Sequence, residues 1–112
     1  MTEQERFARM LQKLLLWATG EGIRILLYQL YRTPEQQNVF FQRGASKADG
    51  YKKLSKHQNG LAADICVLDT EGKAIWTNDT RYNKLGQYWH GVCGGTWGGD
   101  WKSIPDIFHF EL

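Results

Sequence analysis

The chain reads as a small α+β domain, an antiparallel sheet with helices packed on it. Two observations carry this. Its 112 residues, 42% hydrophobic and 23% charged, suffice for one compact globular domain and are too few for two. Along them, amphipathic helical stripes are mixed with short strand-like runs expected to pair antiparallel. No internal repeat or low-complexity segment interrupts this pattern.

Thr2 and Glu5 stand at capping-box spacing, and Phe7, Met10, Leu11, Leu14, Leu15 and Ala18 follow as one apolar stripe. A first helix is therefore expected over residues 3–19, stopped by Gly20. Ile23–Tyr31, dense in β-branched, aromatic and leucine residues, predicts a largely buried strand. Thr33-Pro34-Glu35-Gln36 repeats the helix-start signal, with Thr33 as N-cap and Pro34 at the first helical position. That helix should run to about Arg43 and end at Gly44. Residues 44–60, polar and broken by glycines, predict a long loop, which in so short a chain is usually functional.

Leu61–Leu68 predicts a second buried strand, followed by a turn at Asp69-Thr70-Glu71-Gly72 and a short strand at Ala74–Thr77. Asp79 or Thr80 should cap a third helix with Tyr82, Leu85, Tyr88 and Trp89 on one face, stopping at Gly91. A glycine- and tryptophan-rich loop, Gly94–Trp101, precedes a last strand at Ile107–Leu112.

Fourteen Lys+Arg against 12 Asp+Glu give a net charge of +2, too slight to indicate a nucleic-acid partner. The longest apolar run, Leu14–Ala18, excludes a membrane span. Met1–Glu5 lacks the basic and apolar regions of a secretory signal, so cytoplasmic synthesis without a signal peptide is expected. Two cysteines, Cys66 and Cys93, make neither a disulfide framework nor a CxxC pair. Twelve glycines with five tryptophans suggest shaped loops lined by flat apolar rings, surfaces that often bind something.

The chemistry-bearing residues stand out by context. Asp64 falls among Leu61, Ala62, Ala63, Ile65, Cys66, Val67 and Leu68, where a bare carboxylate is strongly unfavourable. Such a charge is kept when it pairs with an arginine or binds a metal. His57 lies at the end of the preceding loop and His109 in the last strand, where alternation would put Ile107 beside it and Phe108 with Phe110 opposite. Two histidines and an aspartate match the three-ligand open site of a catalytic zinc, and Asp106, three residues before His109, is placed to act on the attacking water. His90 is explained by the end of the third helix and Ser55 by orienting the His57 loop, so neither is given a catalytic role.

Ser55-x-His57-x-x-Gly60-x-Ala62-x-Asp64, followed by Asp106-x-x-His109, resembles the zinc D-alanyl-D-alanine carboxypeptidase and L-alanyl-D-glutamate endopeptidase family. Tyr31-Arg32-Thr33-Pro34-Glu35-Gln36-Gln37 is similar to that family's upstream element. Trp97-Gly98-Gly99-Asp100-Trp101 and His109-Phe110-Glu111 are similar to its closing segment. The resemblance implies a hedgehog and DD-peptidase-like fold over residues 1–112. It implies Zn²⁺ bound by His57, Asp64 and His109, with Asp106 as general base and Arg32 stabilising the oxyanion. Aspartate rather than glutamate at the base position is similar to the phage endolysin branch. The implied substrate is the peptidoglycan stem peptide, cut at a bond involving D-amino acids by a monomer that reaches the wall after release. The alternative is a catalytically inactive wall-binding or structural module of the same fold, against which Asp106 argues. Arg43, Lys47, Lys52, Lys53 and Lys56 make the 43–57 loop basic, as a solvated face or as an attraction for an anionic wall or substrate carboxylates.

Overall fold

A computed structural model describes all residues, 1–112. Helix α1 runs from Glu3 to Gly20 and starts at the reciprocal Thr2–Glu5 capping box. It ends one residue later than expected, because the left-handed turn falls on Gly22 (φ 71°) rather than Gly20. Strand β1, Ile25–Gln29, leads to helix α2, Pro34–Gln42, capped by Thr33 and Gln36 as its sequence requires. The 44–60 loop delivers strand β2, Ala62–Val67, all six of whose residues are buried. Helix α3, Thr80–Tyr88, is capped by Asp79. Strand β3 is Thr96–Trp97 and strand β4 is His109–Glu111. No helix is long and apolar enough to cross a membrane.

The four strands form one antiparallel sheet in the order β1-β2-β4-β3. Ala63, Ile65 and Val67 of β2 turn one face of the sheet toward α1 and α3, where they join Phe7, Leu14, Leu85 and Trp89 in the core. Alternation sends Ala62, Asp64 and Cys66 to the other face. The register sets Gln29 of β1 and His109 of β4 directly beside Asp64. Three polar side chains thus lie in a row across the sheet, on the face that α1 and α3 leave free.

Four sequence expectations change in the folded molecule. The 23–31 strand is shorter and half-exposed rather than buried, because β1 is an edge strand with a bulge between Leu27 and Gln29. The segment 74–77 makes a single bridge, Ala74 to Leu68, instead of a strand. Helix α3 does not stop at Gly91. It passes into a π-helical turn, Trp89–Cys93, that ends at left-handed Gly94 (φ 81°). The last strand is only three residues, so Phe108 lies outside the pleat and lines the same cleft as His109 rather than pointing away with Phe110.

Trp97 anchors the closing loop. Its indole is buried and donates from Nε1 to the Ile107 carbonyl at 2.9 Å. It packs so tightly on α3 that a Cβ at Gly86 would stand 2.1 Å from the ring. Gly86→Ala is therefore expected to destabilise the fold by about 1–3 kcal/mol. Urea denaturation checks this; an unchanged midpoint would show that the contact yields freely.

Candidate active site

His57 sits in a tight turn whose Ser55 and Gln58 cap one another, Ser55 N–H donating to Gln58 Oε1 at 3.0 Å. Its imidazole is buried, and Nδ1 meets the Leu30 carbonyl at 2.7 Å. A carbonyl only accepts, so the proton is on Nδ1 and the Nε2 lone pair is bare. His109 is arranged in mirror fashion. Its Nε2 lies 2.8 Å from Glu111 Oε1, which fixes the proton there and bares Nδ1.

Both bare nitrogens face the same atom. Asp64 Oδ1 is 3.3 Å from His57 Nε2 and 3.4 Å from His109 Nδ1. Neither His57 Nε2 nor Asp64 Oδ1 has a hydrogen-bond partner although both are buried. Three acceptor atoms so placed require a cation among them. Two donors of a tetrahedral zinc, each bonded at about 2.0–2.2 Å, stand roughly 3.3–3.6 Å apart. The two separations from Asp64 have this size, all three atoms lie within 4.8 Å of one another, and the donor types suit zinc, so the three residues fit the metal.

The electrostatics point the same way. Burial acts to raise the Asp64 pKa, yet the two histidines overcome it and hold the carboxyl well below its ordinary range. Burial acts to lower the His109 pKa, but Asp64 and Glu111 outweigh it and hold it up at about 9, so that in the metal-free protein a second proton on Nδ1 takes the place a metal cation would fill. The pocket between these side chains attracts one positive charge.

The two readings of Asp64, arginine pairing and metal binding, meet on one carboxylate. Its second oxygen, Oδ2, accepts from Arg32 Nη2 at 3.0 Å. Arg32 also donates to Gln29 Oε1 at 2.9 Å and Gln37 Oε1 at 3.1 Å, and its guanidinium lies over Phe40, 4.1 Å from the ring centre. Three of its five N–H groups are thereby used, leaving two. The arginine is held in place rather than free to lean over the sheet.

Asp106 lies on the same cleft, with Oδ1 accepting from the Phe108 N–H at 3.1 Å. Burial, and then the charge of Asp64, push its carboxyl above the ordinary value. The cleft has a volume of about 570 Å³. Trp101 flanks it, its ring 5.0 Å from that of His109, whereas Trp97 is packed in the core. His90 is exposed, and Ser55 stays within its turn.

Sequence reasoning gave roles to all five of these residues but none to their supports Gln29, Phe40, Gln37 and Glu111, of which the last two stood only inside the family-like segments. Glu111 had a legible signal, since a strand places residue i+2 beside residue i. Glu111→Gln is expected to weaken zinc binding by about 10–100-fold, because the carboxylate that accepts from His109 Nε2 holds the ring in place and makes Nδ1 a stronger donor. Competition with a chromophoric chelator measures this; unaltered affinity would make Glu111 a bystander.

Fold and donor set together define a small α+β domain with an open three-donor site and a free carboxylate beside it. A family model described as D-alanyl-D-alanine carboxypeptidase matches residues 49–112, and the chain belongs to that family. The peptidoglycan L-alanyl-D-glutamate endopeptidase CwlK of Bacillus subtilis (strain 168) is 27% identical over 107 residues, covering 85% of this chain and 64% of its own. An L-alanyl-D-glutamate peptidase of Listeria phage A118 is 32% identical over 103 residues, covering 90% of this chain and 34% of its own. The chain thus spans less than two thirds of the length of either relative. Among solved structures, the L-Ala D-Glu endopeptidase ChiX of Serratia marcescens shares the fold with a TM-score of 0.70 at 22% identity, over 95% of this chain and 77% of that one. The vancomycin-resistance D,D-pentapeptidase VanY, solved with Zn(II), gives 0.59 at 19% identity, over 96% and 70%.

Proposed function

We propose that the protein is a zinc-dependent peptidoglycan peptidase of the phage endolysin kind, hydrolysing a peptide bond that involves D-amino acids in the stem peptide. Residues 1–112 act as one peptidase domain, and as a monomer. The observation that carries this reading is the convergence of His57 Nε2, Asp64 Oδ1 and His109 Nδ1, two of them buried without partners, in an open cleft beside Asp106. Family membership and relatives named as L-alanyl-D-glutamate peptidases support it.

Zinc held by the three donors would polarise the scissile carbonyl and lower the pKa of a water to roughly 7. Asp106 is the general base: the Phe108 N–H fixes Oδ1, and Oδ2 takes the proton of the attacking water and returns it to the leaving amine. Its upward-shifted pKa suits both halves of that transfer. Arg32 holds Asp64 by one N–H and offers its remaining donors to the oxygen of the tetrahedral intermediate. Arg32→Ala is expected to lower kcat by about 10²–10³-fold and, because Asp64 loses its partner, to lower Tm as well. Arg32→Lys keeps the charge without the planar fork and should restore Tm more fully than kcat. Paired melting curves and rate assays check this; full activity in Arg32→Ala would remove the arginine from the reaction.

Mass spectrometry of peptidoglycan digests tests the function as a whole. Zinc-loaded protein should release stem-peptide fragments with one new amine and one new carboxyl terminus, and chelator should abolish them. Binding to the same peptidoglycan without any new terminus would establish the inactive wall-binding module instead.

A further inference from the structure

The cleft continues past the three donors onto an aromatic arm. Phe108 precedes His109 in the chain and donates its N–H to Asp106, and its ring lies edge-on to Trp76 with centres 5.7 Å apart. Trp76 in turn meets Tyr28 at 5.3 Å, the two ring planes 78° apart. Both rings line the cleft, yet Tyr28 is 58% and Trp76 57% exposed. Large rings that touch one another and still face solvent beside a reacting centre mark a binding surface.

Both rings are held there by the fold. The register of β1 on β2 passes from Leu27–Ile65 to Gln29–Asp64, so Tyr28 is the extra residue of the bulge and has no partner in the ladder. A bulge re-aims a side chain, and this one brings the phenol onto the cleft beside the strand position of Asp64. Trp76 follows Ile75, whose N–H donates to the Val67 carbonyl at 2.9 Å and whose carbonyl accepts from the Tyr82 hydroxyl at 2.6 Å. Tyr82 is fully buried, and its ring stands edge-on to Phe108 at 5.2 Å. One tyrosine thus supports both the backbone that carries Trp76 and the ring next to it.

The polar edges of the two exposed rings are free. The Tyr82 hydroxyl and the indole N–H groups of Trp89 and Trp97 are bonded within the chain; the Tyr28 hydroxyl and the Trp76 indole N–H are not. A corner of two flat apolar faces with hydrogen-bonding edges suits a ligand that is itself apolar on its face and polar around its rim. A pyranose ring is such a ligand, with C–H groups on its face and equatorial hydroxyls at its edge. An alkyl side chain would leave the two polar edges unused. We propose that Tyr28 and Trp76 form a saccharide subsite, which takes one sugar ring of the glycan strand that carries the stem peptide. The proposal rests on the peptidase reading and extends its substrate from a peptide to a glycopeptide.

The test compares one stem peptide with and without its attached disaccharide. Zinc-loaded wild-type protein should cut the glycopeptide with a kcat/KM about tenfold higher, the scale of one ring stacked on an aromatic pair. Tyr28→Leu/Trp76→Leu keeps apolar bulk against Phe108 but offers no flat face. It should cut both substrates alike, at the wild-type rate on the free peptide. A second measurement needs neither turnover nor the double variant. In chelator-treated wild-type protein the β-linked trimer of N-acetylglucosamine should shift the NMR signal of the Trp76 indole N–H, identified by its loss in Trp76→Phe, and leave those of Trp89 and Trp97 in place. Equal kcat/KM for the two substrates, a preference that survives in the double variant, or an unmoved Trp76 signal overturns the proposal. A Trp76 signal that moves with protein concentration and not with the trimer overturns it too, and assigns the rings to a second copy of the chain. If neither substrate is cut, the peptidase reading fails separately, and the Trp76 signal still decides whether the corner takes a sugar.

Discussion

Asp106→Asn is expected to lower kcat by about 10²–10⁴-fold while the protein still binds one zinc per chain. Asparagine preserves the size of the side chain and its acceptance of the Phe108 N–H, but it has no oxygen basic enough to take a proton. Asp106 is also outside the donor group of His57, Asp64 and His109, so metal content should not follow activity. Elemental analysis beside a stem-peptide assay separates the two quantities. Near-normal turnover in this variant would assign the proton transfer to another group; loss of zinc along with activity would make Asp106 part of the metal site.

Asp64→Ala should have the widest effect of any single change. It removes the oxygen that faces both histidines and the oxygen that holds Arg32. Zinc should be lost, and metal-binding energy that is coupled to folding is lost with it. The metal-free protein should also be less stable than metal-free wild type by about 3 kcal/mol, the lower end of the cost of stranding a buried charge, because Arg32 keeps its two glutamine partners. Urea titrations of both metal-free proteins measure this term apart from the metal. A variant that retains zinc with wild-type affinity would refute the assignment of Asp64 as ligand.

The site was legible in the sequence to the extent that its chemistry is anomalous there. A carboxylate inside a run of apolar strand residues has to find a partner, and in the folded protein Oδ2 pairs with Arg32 while Oδ1 faces the bare nitrogens of His57 and His109 as the third member of a candidate metal site. The supporting residues carry no such anomaly. Gln29 and Gln37 are ordinary polar side chains until the sheet register and the α2 packing bring both to one guanidinium. Glu111 reads as a terminal strand glutamate until its oxygen is found 2.8 Å from His109.

What the sequence determined by itself is whatever a few neighbouring residues decide. The Thr2–Glu5 and Thr33–Gln36 boxes fix two helix starts, because each satisfies backbone N–H groups that have no other partner within the helix. The full burial of Ala62–Val67 follows from an apolar run bounded by turns. Only the tertiary structure decided that Ile25–Gln29 would be a half-exposed edge while β2 took the buried place beside it. Propensity measures how well a side chain fits a pleated surface, and it does not say which neighbours will cover that surface. Strand order also decided that Gln29, Asp64 and His109 would stand abreast. These are contacts between residues far apart in the chain, set by packing and register, and no local pattern encodes them.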